Sequence, residues 1–324
     1  MKQQKKITFL LLGVFIALSG FAQDKEGFKP SGKVSGRIYA NFNAGVTDAV
    51  SNETAFAIQR AYFGYAYQLT EEFKANVLLD VNYKDSGNEN VSDHFVYVKN
   101  AFLNWTKDKW QINFGLIPLT HFKLHEKYWG HRYLYKSFQD VNKMGTTADL
   151  GVSAIFQASD DISFDFTMRN GEGYKKIQGD DNYLYGLGAI VNLPAGFIAR
   201  VYGDLLKAEG VTQKTVTGFL GYKNDDLAAG AEYSFQENNK NVQGTDKEGW
   251  SAYASYNFDK KWQLFGRYDN LTSDDTETLI GGVQYSPAKK IKFALNYQGV
   301  SEEGIDIFDD NSEGFVYLNL EVKF

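Results

Sequence analysis

The chain has 324 residues, with 34 Lys and Arg against 40 Asp and Glu, no cysteine, 16 % aromatic residues and four prolines. The missing cysteines exclude a disulfide framework, and the acidic balance excludes a general nucleic-acid binder, which needs a broad basic face. No Pro/Gly/Ser linker, low-complexity tract or break in composition divides the sequence, so one domain is expected, although length alone would suggest two.

The first 22 residues read as a secretory signal peptide. Lys2, Lys5 and Lys6 form a basic start, and Ile7 to Ala22 is an apolar run ending in Gly20-Phe21-Ala22. That run is short for a bilayer helix of ~20 residues. Without the leader, residues 23–324 carry 31 Lys and Arg against 40 acids, a net charge of −9. They are expected to form a single all-β domain.

From there on, the pattern has a period of two, which in a strand sends alternate side chains to opposite faces. In 73–83, Phe73, Ala75, Val77, Leu79 and Val81 alternate with Lys74, Asn76, Leu78, Asp80 and Asn82. In 249–258, Trp250, Ala252, Ala254 and Tyr256 alternate with Ser251, Tyr253, Ser255 and Asn257. The last segment sets Val316, Leu318, Leu320, Val322 and Phe324 against Tyr317, Asn319, Glu321 and Lys323. Sixteen such segments predict strands at 33–46, 56–69, 73–83, 95–106, 109–117, 147–157, 161–170, 182–193, 196–207, 214–223, 226–236, 249–258, 261–271, 277–286, 290–299 and 314–324. Seven tight turns alternate with eight longer connections, the order expected of an antiparallel up-and-down barrel.

A soluble sandwich or propeller would alternate too, but with its apolar face turned to a core. Here that face often ends in aromatics, among them Trp105, Trp110, Tyr222, Trp250, Phe258, Trp262 and Tyr285. Aromatic girdles of this kind mark transmembrane barrels, and closure gives every backbone N–H and C=O a partner without water. Lys99 breaks the alternation of its strand, which predicts a β-bulge or a place near the membrane interface.

A leader, sixteen alternating segments and a terminal Phe324 resemble bacterial outer-membrane porins. More narrowly, the sequence resembles the phosphate-selective porin O and P family. That resemblance rests on the Gly36-Arg37 strand, on "AIQRAYFGYAYQL" with Arg60 and on "FGLIPLTHF" at 114–122. It implies passive diffusion of small hydrophilic solutes with a lean toward anions such as phosphate. It also implies residence in outer-membrane lipid, a homotrimeric assembly, and Phe324 as the signal read by the barrel-insertion machinery. No cofactor or metal and no enzymatic activity is expected. The rival readings are a plugged barrel with a structural or surface-binding role and, behind it, an enzyme barrel.

A barrel of this strand number leaves an aqueous lumen, so inward side chains set selectivity. The alternation points Arg37, Arg60, Lys74, Arg169, Arg200, Arg267, Lys290 and Lys292 inward as a pore wall. Asp80, Asp149, Asp165, Asp204, Glu232, Asp269 and Glu321 share that face, so the wall is mixed, which departs from a uniform basic ladder.

Residues 118–146 form the third long connection. By the porin resemblance it folds into the barrel and narrows it. It carries His121, Lys123, His125, Lys127, His131, Arg132 and Lys136, with a net charge of +3 that would concentrate anions. A short helix within 121–138 is expected, and the three histidines would be pH-dependent charges in the constriction. His121 and His125 have the spacing of zinc ligands on a helix, yet Trp129 stands where an HExxH motif needs its second histidine. Asp309, Asn311 and Glu313 imitate an EF-hand start, but Leu320 occupies the position of the bidentate glutamate. Gly186-Leu187-Gly188 opens no helix, and no GxSxG or P-loop occurs.

Overall fold

In a computed structural model, which describes residues 27–83, 94–302 and 304–324, sixteen antiparallel strands close into one barrel. The predicted leader lies outside the described residues. The first eight strands are β1 (Ser31–Gly45), β2 (Thr54–Gln68), β3 (Phe73–Tyr83), β4 (His94–Lys107), β5 (Trp110–Pro118), β6 (Ala148–Gln157), β7 (Ile162–Arg169) and β8 (Leu184–Asn192). The second eight are β9 (Phe197–Ala208), β10 (Val211–Lys223), β11 (Leu227–Glu237), β12 (Lys247–Asn257), β13 (Trp262–Leu271), β14 (Thr276–Ala288), β15 (Ile291–Glu302) and β16 (Glu313–Lys323). Each strand pairs with its neighbours in sequence, and β1 pairs with β16 to close the ring.

The two faces are inverted relative to a soluble protein. Val34, Phe63, Val98, Phe114, Leu187, Val201, Leu220 and Leu295 point outward and are exposed, whereas Asp80, Asn113, Asp165, Thr217, Glu232, Ser251 and Asn319 point inward and are buried. A β-sandwich would bury the first set. At the closing seam, Gly36 and Phe324 exchange backbone hydrogen bonds of 2.9 and 3.0 Å. The Phe324 ring covers the Gly36 α-carbon so closely that a β-carbon there would overlap ring atoms.

The turns at the end where β1 starts and β16 finishes are all short. The opposite end carries the longer connections with two exceptions. Glu209 and Gly210 alone join β9 to β10, and 272–275 joins β13 to β14. Both Glu209 and Gly210 have positive φ, +51° and +84°, which makes a two-residue hairpin and leaves no loop. The strict alternation of tight and long connections is corrected there. Lys290 also moves: it stands in the two-residue turn between β14 and β15, at the rim rather than on the wall.

Two bulges alter which residues face inward. Leu78 pairs with Asn100 and Leu79 with Val98, so Lys99 is the extra residue of β4. Tyr39 pairs with Arg60 and Ala40 with Ile58, so Gln59 is the extra residue of β2. A bulge sets two residues against one, and here it delivers adjacent pairs, Gln59–Arg60 and Lys99–Asn100, to the inside. The Lys99 ammonium accordingly lies 5.1 Å from the ring centre of inward-facing Tyr62.

Candidate pore constriction

The connection between β5 and β6 enters the barrel. It opens with helix α1 (Thr120–Trp129) and ends with one short turn of helix, α2 (Phe138–Val141). Gly130 stops α1: at φ +71° its N–H donates to the Glu126 carbonyl at 2.9 Å. The spacing of 3.6 residues per turn divides α1 into two faces. His121, Phe122, Leu124, His125, Tyr128 and Trp129 are buried, and Lys123 and Lys127 are exposed.

The buried face packs against the inner surface of β9 to β13. Tyr128 meets Phe219 with ring centres 5.5 Å apart, and Trp129 meets Tyr253 at 5.5 Å. Gly221 and Gly249, both facing inward, make room: a β-carbon on either would come within 2.8 and 2.7 Å of the Tyr128 and Phe138 rings. Hydrogen bonds add direction. Tyr133 Oη donates to Gln284 Oε1 at 3.0 Å, Gln139 Nε2 to Ser234 Oγ at 2.6 Å, and Gln236 Nε2 to the Met144 carbonyl at 3.1 Å. One side of the barrel thus has a packed core, formed by Leu124, Tyr128, Trp129, Tyr133, Phe219, Tyr253 and Phe265 among others.

The histidines belong to that core, and this corrects their expected role as titrating charges in the passage. His121, His125 and His131 are 3, 2 and 1 % exposed. His121 stacks on Tyr202 with centres 4.1 Å apart, His125 on Phe219 at 4.7 Å, and His131 against Phe265 at 4.4 Å. His125 Nδ1 lies against the Glu232 carboxylate, and His131 Nδ1 donates to the Trp129 carbonyl at 2.7 Å. Burial holds His125 and His131 down to about 3, helped by Arg200 and Arg267 near the first and Lys292 near the second. His121 is likewise pushed well below its ordinary value by burial, then by His125 and Arg200. No cluster of three or more His, Asp or Glu among the described residues has the arrangement of a metal site.

The arginines divide in the same way. Arg200 and Arg267 point inward as the alternation requires, but each is 2 % exposed beneath the packed loop. Arg200 forks onto Asp165 at 2.6 and 2.9 Å, and Arg267 onto Asp269 at 2.7 and 2.6 Å. Arg169, equally buried, donates to Asp204 at 2.9 Å. Their charges are spent on these carboxylates, so they do not form an open basic wall. Nearer the short-turn end, Arg37, Lys292 and Lys323 surround Glu321 at 3.9, 3.9 and 2.9 Å.

Among the described residues, three cavities beside the loop stand out. The largest, about 840 Å³ at the long-loop end, has mixed charge, with Lys143, Lys176 and Lys240 beside Glu172, Asp180 and Asp204. A second, of about 440 Å³, shares Arg60, Lys136 and Lys175 with it and adds Arg132, Tyr133 and Gln59. A third, of about 500 Å³, lies toward the short-turn end and contains Lys74, Lys123 and Lys127. Among the described residues, neither the second nor the third is lined by a carboxylate.

The cations of the second cavity are fixed by neighbours. Arg132 donates to Glu126 at 2.8 Å and Asp140 at 3.2 Å. Arg60 donates to Tyr62 Oη at 3.1 Å and lies 3.5 Å from Asp80. The connection 170–183 also reaches in: Tyr174 Oη donates to Asp80 at 2.6 Å, and Lys175 lies 4.9 Å from the Tyr97 ring centre. Sequence reasoning missed Lys175 and Tyr174, whose only signal was a Tyr-Lys-Lys run in a Gly-rich connection. Burial lowers the Lys136 ammonium from its ordinary value, against the pull of Asp140.

No protein-family model and no curated protein matches the sequence. Solved structures do match in shape. The protein is similar to OmpF of Salmonella typhi in complex with daunomycin, with a TM-score of 0.68 and 13 % identity over 90 % of this chain and 97 % of that one. It is similar to the outer-membrane channel DcaP of Acinetobacter baumannii at 0.67 and 12 %, covering 93 % and 99 %. The anion-selective porin from Comamonas acidovorans matches at 0.66 and 11 %, covering 91 % and 100 %. At such identities the likeness is one of fold: the protein shares its barrel architecture with these three.

Proposed function

We propose that the protein is an outer-membrane porin that lets small hydrophilic solutes diffuse passively, with a preference for anions including phosphate. One observation carries the preference. In the third cavity beside the inward loop, Lys74, Lys123 and Lys127 stand without a lining carboxylate among the described residues, and Lys175 adds a cation to the second, whose Arg60, Arg132 and Lys136 are paired with Asp80, Glu126 and Asp140. Low-dielectric walls strengthen such a field, and basic rings favour anions. Of the inner-face acids, Asp165, Asp204 and Asp269 are withdrawn into pairs with Arg200, Arg169 and Arg267. The exposed apolar exterior supports a lipid surround.

The constriction consists of Lys123, Lys127, Arg132 and Lys136 on the loop, facing Arg60, Lys74 and Lys99 on the wall. Export by the 1–22 leader, a homotrimer, and recognition of Phe324 by the insertion machinery accompany this reading through the porin resemblance. Reversal potential in a salt gradient across a planar bilayer tests it, with anion preference expected. Cation preference would overturn the selectivity. Absence of conductance would favour a plugged barrel, the reading toward which the packed core inside the lumen points.

A further inference from the structure

The third cavity has more chemistry than an anion relay requires. Lys74 comes from β3, and Lys123 and Lys127 lie one helical turn apart on the exposed face of α1. None of the three is in an ion pair with a described residue. Thr120, the first residue of α1, also lines the space, and that helix end has no side-chain cap. Its leading N–H groups and the helix dipole favour negative charge there.

Facing these cations is a row of carboxamides. Asn104 donates to Asn113 at 2.8 Å, and Asn113 to Ser153 at 2.9 Å, which fixes the orientation of that pair. Asn76 and Gln111 line the same cavity and make no side-chain hydrogen bond among the described residues. Free carboxamides both donate and accept, which suits hydroxyl groups and adds little for a bare inorganic anion. Phe102, Ile155 and Ile190 supply an apolar flank. A volume of about 500 Å³ falls within the range of small-molecule sites.

We infer that this cavity is a binding subsite for a polyhydroxylated anion, a monosaccharide-sized polyol bearing a phosphate or carboxylate. Its charge meets Lys74, Lys123 and Lys127, its hydroxyls meet Asn76 and Gln111, and its apolar C–H groups lie against Phe102 and Ile190. The inference rests on the channel reading and adds the solute class to it.

The test is current block in planar bilayers containing the full-length protein, with four probes added at the short-turn side: glucose 6-phosphate, gluconate, inorganic phosphate and glucose. Glucose 6-phosphate should half-block at about tenfold lower concentration than inorganic phosphate, the gain from one or two net hydrogen bonds. Gluconate should exceed glucose similarly, and the stronger of the two anions identifies the headgroup. Asn76→Leu should erase the advantage of glucose 6-phosphate over phosphate, so that the two half-block at the same concentration. Gln111→Leu is the second variant should the first fail to assemble. Equal block by glucose 6-phosphate and phosphate in an anion-preferring channel would overturn the subsite alone. A cation-preferring reversal potential in the same membranes would overturn the channel selectivity on which it rests.

Discussion

Arg267 on β13 donates from Nη1 to the carbonyl of Lys136 at 2.7 Å, while its Nε and Nη2 hold Asp269. One guanidinium therefore fastens the inward loop to the barrel and neutralises a buried acid. Arg267→Gln removes the anchor and strands Asp269, a loss of about 3–5 kcal/mol for a broken buried pair. Heating the folded barrel in detergent and following its gel mobility should show unfolding at lower temperature. Asp269→Asn added to Arg267→Gln should recover part of the loss, and no recovery would show that the pair was not the source.

Acid should loosen the loop. A released imidazole takes its proton near pH 6.5, whereas His125 and His131 in their packed sites do so only near 3. The packed state thus binds fewer protons between these values, and its stability falls as pH drops from about 6.5 toward 3. Protonation there would place new charge among Arg169, Arg200, Arg267 and Lys292, with Glu232 the nearest compensating acid. Open-channel current noise should be flat above pH 7 and grow below 6. A trace equally quiet at pH 7 and pH 4 would contradict this.

Lys99 is an extra residue in its strand, so its charge can be removed in two ways. Lys99→Gln keeps the bulge and loses the cation beside Tyr62 and Tyr174. Deleting Lys99 also straightens the β3–β4 ladder. Both should lower the anion-to-cation permeability ratio read from reversal potentials, by roughly equal amounts. If only the deletion acts, the backbone shape rather than the charge is what matters.

Gly36 gives the terminal ring its seat. Gly36→Leu should displace Phe324 and weaken the β1–β16 seam, because a β-carbon there would occupy the space of the ring. The heat resistance of the folded band should fall, and Phe324→Ala should then cost little more, since the two changes remove one contact. Fully additive losses would separate the seam from the ring.

The barrel was legible because period-two alternation recurs from strand to strand and needs no long-range information. The bulge at Lys99 was legible for the same reason, as a break in that period. The division of α1 was present in the sequence as well: His121, His125 and Tyr128 share a stripe, and Lys123 and Lys127 share another. Reading the histidines and lysines as one charged cluster ignored that helical phase. The fate of Arg200 was not legible locally. Its partner Asp165 lies two strands away, across Gly188 of β8, where any β-carbon would collide with the guanidinium. That pairing depends on the register of three strands at once, as does the withdrawal of Arg169 by Asp204.

The inward loop precedes in sequence the strands that hold it. Tyr133 reaches a partner 151 residues further on, His125 accepts at its carbonyl from Tyr253 across 128, and Gln139 bonds Ser234 across 95. Contacts of such separation form late, after the intervening residues have been ordered. A polypeptide halted before β10 to β14 would have no surface to receive Tyr128, Trp129 and Tyr133. Docking of the loop inside the lumen is therefore coupled to completion of the ring, so a half-built barrel would carry its aromatic loop undocked.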